Sequence, residues 1–210
     1  MYSHIKDIAT GGTPVAQAKG AMIMLHGRGA SAEGILSFAS AFAVKDIALF
    51  APQATHGSWY PESFMAPVYH NQPALDSALE VIDSLVADIV AAGIPKKEIY
   101  FFGFSQGACL TLEYASRHAE LYKGIIAFTG GLIGQQLATE NYKGDFHGTP
   151  VLITTSNPDA HVPLKRVKES GGIMENMHAS ITVIAYPGKA HNIGKDEVDL
   201  ANKLFFTKTA

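Results

Sequence analysis

Short, largely apolar runs punctuate the chain at 21–25, 47–50, 99–102, 124–128, 151–155 and 181–186. Runs of this length without polar alternation mark strands buried on both faces. Between them the pattern turns helical. Over 73–92, Leu75, Leu79, Ile82, Val86 and Ile89 form one stripe, while Asp76, Glu80, Asp83 and Asp88 lie largely off it. Asn71 stands where it can cap this helix, Pro73 suits its first turn and Gly93 its end. Further helices are expected after Ser105, over 163–177 and 195–206, and in a short piece after Ser31, which can cap it although Gly34 weakens it. The first twenty residues are weakly patterned, with one short strand expected near 5–9 and a turn at Thr10-Gly11-Gly12-Thr13-Pro14. Strands alternating with helices predict a mostly parallel sheet with helices on both faces. In such a sheet ligands bind beyond the carboxyl ends of the strands, so the loops that follow strands carry the interest.

The longest irregular stretch is 52–73, kept from regular structure by Pro52, Pro61, Pro67 and Pro73. Its Trp59, Tyr60, Phe64 and Met65 are expected as the apolar walls of a pocket, with Leu132 and Ile133 as a second wall.

The chemistry concentrates at 98–110. A strand pattern runs into Gly103-Phe104-Ser105-Gln106-Gly107 and then into a helix bearing Ala108, Leu112 and Ala115. Strand, sharp turn with Ser at its apex, helix: this is a nucleophile elbow, and Gly103 and Gly107 leave room for strand and helix to approach closely. A Ser hydroxyl needs a base within hydrogen-bond reach and a carboxylate that orients the base. His26, His56, His70, His147 and His161 all lie in loops after strands, so position alone excludes none of them. The order Ser, acid, His that accompanies such elbows selects His191, which follows the last strand. Of the acids between them, Asp145 precedes the strand at 151–155, whereas Asp159 directly follows it, so position selects Asp159. Its competing role is to cap the helix near Pro163. For an oxyanion the donors expected are the backbone N–H of Gln106 and, from the early Gly-rich loop, that of Arg28. Cys109, one helical turn after Ser105, reads as a small buried hydrophobe.

Composition narrows the picture without changing it. At 210 residues and 47% hydrophobic, the length suits one domain over 1–210 with a sizeable core. A net charge of −3 gives no reason to expect a nucleic-acid partner. The single Cys109 rules out an intramolecular disulfide framework, and no signal peptide or membrane-length apolar stretch is visible, so a cytoplasmic protein without membrane insertion is expected. No H-E-x-x-H or C-x-x-C spacing suggests a metal.

Leu25-His26-Gly27-Arg28-Gly29, Gly103-Phe104-Ser105-Gln106-Gly107, Asn157-Pro158-Asp159-Ala160-His161-Val162-Pro163 and Gly188-Lys189-Ala190-His191 together resemble the phospholipase/carboxylesterase family. The family also contains acyl-protein thioesterases, and the resemblance covers about 20–205. It implies an α/β-hydrolase fold without a large cap domain. It further implies a triad of Ser105, His191 and Asp159 with the Arg28 and Gln106 amides as oxyanion donors, and hydrolysis of carboxylic esters with neither metal nor cofactor. The family's long-chain thioesterases usually carry Leu where Arg28 stands, and 58–64 looks more like the bacterial esterase branch, which points to small or medium esters. Thioesters or lactones of the dienelactone kind are the alternatives, and a ligand-binding protein with an idle triad is the alternative of another class. An apolar strip on 52–73 or on the last helix could pair two copies in a homodimer.

Overall fold

Every one of the apolar runs is a strand in the computed structural model, which describes residues 2–207. In chain order the strands are β1 (Ile8–Gly12), β2 (Gly20–Leu25), β3 (Ile47–Pro52), β4 (Ile99–Phe104), β5 (Gly124–Phe128), β6 (Pro150–Asn157) and β7 (Ser180–Pro187). The helices are α1 (Ala32–Phe38), the single turn α2 (Val68–Asn71), α3 (Ala74–Ala91), α4 (Gln106–Arg117), α5 (Leu164–Asn176) and α6 (Lys195–Ala201). The strands form one sheet in the order β1-β3-β2-β4-β5-β6-β7, parallel except for β1, which runs antiparallel to β3. This is the α/β-hydrolase architecture. Between β3 and α3, and again between β5 and β6, there is no regular element beyond short turns and α2, so among the described residues no large cap stands over the sheet.

Both faces are covered, which is why the central strands read as unbroken apolar runs. On one face Ile23, Phe101, Ile125 and Ile153 pack beneath α3, α4 and α5, meeting Leu75, Ile82, Leu112 and Val167. On the other, Met22, Met24, Phe102 and Phe128 meet Ala32 and Ile35 of α1 and Ala201 of α6. The stripe expected along α3 is buried throughout.

The amino-terminal strand lies later than expected, at Ile8–Gly12, so Thr10-Gly11-Gly12 is not a turn. Pairing with the edge of β3 sets its place. Ser31 caps α1 as expected, accepting from the Gly34 amide at 3.1 Å. Asn71, by contrast, caps nothing. Its side chain turns back to accept from the Glu62 amide and donate to the Ser63 carbonyl, pinning the long loop. Among the described residues no helix is long and apolar enough to cross a membrane.

The sheet reverses direction of growth at its centre, since β2 leads outward to β3 while β4 returns to its other side. Leu25 pairs with Gly103 across β2 and β4, so the loops that follow the two strands leave side by side. The amino end of α4 is pressed against the end of β2: a Cβ on Gly107 would lie 2.1 Å from the Leu25 carbonyl oxygen and 2.6 Å from that of His26. Leu25 is the last residue of β2, so its oxygen cannot retreat without disturbing the strand. Gly107→Ala should therefore cost about 1–3 kcal/mol of stability, as overpacked sites do, read as a lower urea midpoint.

Two buried histidines carry the loop after β3. His4 donates from Nε2 to the Trp59 carbonyl and accepts at Nδ1 from the Thr55 amide. His26 donates from Nδ1 to the Gly27 carbonyl and accepts at Nε2 from the Ala54 amide. Each ring uses both nitrogens as a neutral imidazole, and burial holds both pKa values below the ordinary histidine value in spite of the backbone bonds that raise them. Acid therefore works against the fold. As pH falls below about 6.5 the unfolded chain takes up protons that the folded rings refuse, so stability is full above that pH and declines beneath it. The urea midpoint should be lower at about pH 5 than at about pH 7.5, and an unchanged midpoint would mean that these rings are not held neutral.

Candidate active site

Ser105 sits between β4 and α4 with φ 54° and ψ −117°, a conformation that a residue other than glycine adopts only when its surroundings hold it there. Three contacts do so. The Ser105 amide donates to the Phe128 carbonyl at the end of β5, and the Ser105 carbonyl accepts from the Cys109 amide one helical turn on. Beneath the turn, a Cβ on Gly103 would lie 2.4 Å from the Gly107 carbonyl oxygen, so strand and helix meet too closely for any side chain there. The result lifts the Ser105 hydroxyl to the mouth of a cleft of about 580 Å³.

His191, on the loop after β7, accepts the Ser105 hydroxyl at Nε2 over 2.8 Å and donates from Nδ1 to Asp159 Oδ2 over 2.9 Å. Asp159 lies on the loop after β6, its side chain fully shielded from solvent. Its second oxygen, Oδ1, accepts from the amides of His161 and Val162, each at 2.8 Å, while the Ser156 hydroxyl donates to Oδ2. Burial alone would raise this carboxyl, but the donations from His191, the two amides and Ser156 prevail and hold its pKa at about 2. A carboxylate so held stays ionised against the imidazole. Asp159 does not cap α5, whose first turn begins after Pro163 without a side-chain cap. Asp145 lies elsewhere, bonded to His178 Nδ1 at 2.7 Å and to the His147 amide.

The Arg28 and Gln106 amides, the two donors expected for an oxyanion, make no hydrogen bond among the described residues, and both residues line the cleft. Their side chains do work that sequence patterns do not show. Arg28 donates to Ser58 Oγ at 3.0 Å, to the Pro61 carbonyl at 2.7 Å and to the Glu62 carbonyl at 2.7 Å. The buried Gln106 amide accepts from Trp59 N at 3.0 Å and donates to the Tyr60 carbonyl at 2.8 Å and to Ser58 Oγ at 3.2 Å. The loops after β2 and β4 are thus tied to one another through Ser58. Nothing in the pattern around Ser58 marks it, because its partners come from positions distant in the chain.

The cleft walls match the expected set only in part. Tyr60 and Phe64 line the cleft together with Cys109, Val162 and His161. Trp59 does not: it is buried between His4 and His26, its indole donating to the His26 carbonyl at 2.8 Å. Alternation explains this, since Gln106 grips the backbone at 59 and 60 and sends adjacent side chains to opposite sides. Met65 faces a separate shallow depression beside α5. Leu132 is wholly buried in the core, its amide donating to Ser170 Oγ and its carbonyl accepting from Arg166, and Ile133 is buried beside it. Cys109 lies at the cleft floor, nearly inaccessible, its thiol pushed up to about 12 by burial. The His161 ring stands edge-on to His191 with centroids 5.0 Å apart. Among the described residues no His, Cys, Asp and Glu side chains converge in a way that could hold a metal ion.

The chain is similar to a probable carboxylesterase of Oryza sativa subsp. japonica, 29% identical over 200 residues that cover 87% of this chain and 75% of the relative. It is similar to acyl-protein thioesterase 1 of Eremothecium gossypii, 27% identical over 213 residues covering 87% of this chain and 85% of that one. Among solved structures, a phospholipase/carboxylesterase from Dyadobacter fermentans superimposes with a TM-score of 0.98 at 57% identity, covering 99% of both chains. The profile described as Phospholipase/Carboxylesterase matches residues 7–209, nearly the whole chain and every loop that meets at Ser105, and the chain therefore belongs to the phospholipase/carboxylesterase family.

Proposed function

We propose that this protein is a serine hydrolase that cleaves small to medium carboxylic esters through an acyl-enzyme on Ser105. The observation that carries the reading is the unbroken hydrogen-bond chain from Ser105 Oγ through His191 to Asp159 at the mouth of the cleft. Family membership and relatives named carboxylesterase support the ester as the bond attacked.

In this mechanism Ser105 attacks the ester carbonyl while His191 Nε2 takes its proton. The carbonyl oxygen, now negative, accepts from the amides of Arg28 and Gln106, the latter at the start of α4, where the helix end adds positive potential. His191 returns the proton to the leaving alcohol, and the acyl group stays on Ser105. Water, deprotonated by the same imidazole, then releases the acid. Asp159 keeps the proton on Nδ1 so that Nε2 is free to act as base, and it stabilises the imidazolium when that forms. Tyr60, Phe64 and Val162 form the apolar part of the cleft, against which the acyl or alcohol portion of an ester would lie. Since both apolar layers pack on one sheet, we read the chain as a single catalytic domain.

A fluorophosphonate probe tests the assignment. It should label Ser105 stoichiometrically, with labelling lost in His191→Ala. Ser105→Ala should lower kcat on p-nitrophenyl butyrate by about a thousandfold or more while leaving the thermal midpoint near that of the parent. Absence of any adduct on folded protein would mean that the hydroxyl is not activated.

A further inference from the structure

His191 sits on a loop with little regular structure, after an edge strand whose core residues are only half-buried. Ring contacts with Phe104 and His161, at centroid distances of 5.5 Å and 5.0 Å, touch the imidazole but not the backbone that must hold it in register with both Ser105 and Asp159. Beneath it, however, lies a buried charge pair. Glu197, in the first turn of α6, has a side chain with no solvent exposure, and Lys189, whose side chain is 14% exposed, places Nζ 3.0 Å from its Oε2. The lysine ammonium also donates to the carbonyl of Asn192 and, at 3.3 Å, to that of Ala190. These are the two neighbours of His191. An ammonium has three donors, and here three acceptors take them.

Glu197 completes the arrangement on its other side. Its Oε2 accepts from the Gly194 amide at 2.7 Å, and its Oε1 accepts from the Thr154 hydroxyl, buried on β6. Strand β6 also delivers Asp159, five residues beyond Thr154. One carboxylate therefore links the strand that carries the acid to the loop that carries the base. An apolar pair of similar volume is often no less stable than an ion pair taken out of water, but here it would leave the Ala190 and Asn192 carbonyls without the lysine donor and the Gly194 amide without its acceptor. The ionic pair makes sense as a device for geometry.

We propose that Lys189 and Glu197, with Thr154, are positioning residues that set His191 against Asp159 and Ser105. The proposal rests on the reading of His191 as the base. None of the three touches substrate in this scheme. Lys189 fixes the backbone on either side of the imidazole, Glu197 holds Lys189, and Thr154 holds Glu197.

The test uses the neutral double variant Lys189→Met/Glu197→Gln, which leaves no uncompensated buried charge, alongside Lys189→Arg. Circular dichroism and the urea midpoint establish that each is folded. On p-nitrophenyl butyrate the double variant should lose about tenfold to hundredfold in kcat, as a misplaced catalytic group does, with KM within about twofold of the parent. Lys189→Arg, which keeps charge and donors, should recover most of that loss. In proton NMR, the His191 Nδ1–H resonance, identified by its absence in His191→Ala, should be present in the parent and broadened or lost in the double variant. A folded double variant with kcat within about twofold of the parent, or a rise in KM alone, overturns the proposal. So does a Lys189→Arg variant no better than the double. Should the parent neither turn over ester nor label at Ser105, the hydrolase reading fails by itself. The resonance then decides: its loss in the double variant supports positioning, and its persistence overturns it.

Discussion

The contact on which the site depends is that of backbone against backbone, where Gly107 at the start of α4 rests on the Leu25 and His26 carbonyls at the end of β2. It brings the helix end and the loop after β2 within a few ångströms of each other, with Ser105 between them on a turn that only tight surroundings can hold. The Arg28 and Gln106 amides, unpaired among the described residues, come from opposite sides of this contact. Loosening it would separate them. A strained turn at a functional site has to be stabilised by its neighbours, and here those are the Phe128 carbonyl, the bare faces of Gly103 and Gly107, and the buried helix α4 itself.

Around this centre the protein uses polar side chains as cross-links between loops that share no secondary structure. Ser58 joins Arg28 to Gln106, Asn71 folds the middle of the long loop back on itself, and His4 and His26 hold its beginning. Such bonds contribute modestly to stability one by one, but a buried partner left without its mate is costly, so they enforce one arrangement of the loop over others. The shape of the cleft follows. Tyr60 faces it and Trp59 does not, the Gln106 side chain holding the Trp59 amide and the Tyr60 carbonyl on either side of the pair.

His191 and Asp159 arrive differently, on loops from adjacent parallel strands at one side of the sheet. Asp159 is secured by its own turn, through the amides of His161 and Val162. His191 has no comparable local support, and a buried ion pair lies where that support would be. The same imidazole stands near Phe104 as well as His161, so its surroundings are partly apolar on the side of Ser105.

Local information was enough for much of this. Short unbroken apolar runs bounded by turn residues and alternating with helical stripes fit doubly covered strands, so the sheet and its helices followed from the chain, as did the elbow at Ser105, whose glycines answer a local steric need. Chain order and placement after strands pointed to Asp159 and His191, which the structure brings together with Ser105. What the residues could not reveal depended on contacts between distant segments. The first strand was misplaced because its register is set by β3, and Asn71 was read as a cap because its true partners lie in a loop that folds back. Trp59, Met65 and Leu132 looked like cleft walls because apolar residues in loops serve equally as core, and only packing tells the two apart. The side chains of Arg28, Ser58 and Gln106, and the pair Lys189–Glu197, escaped notice for the same reason: a hydrogen-bond partner is chosen by proximity in space, and proximity is what folding decides.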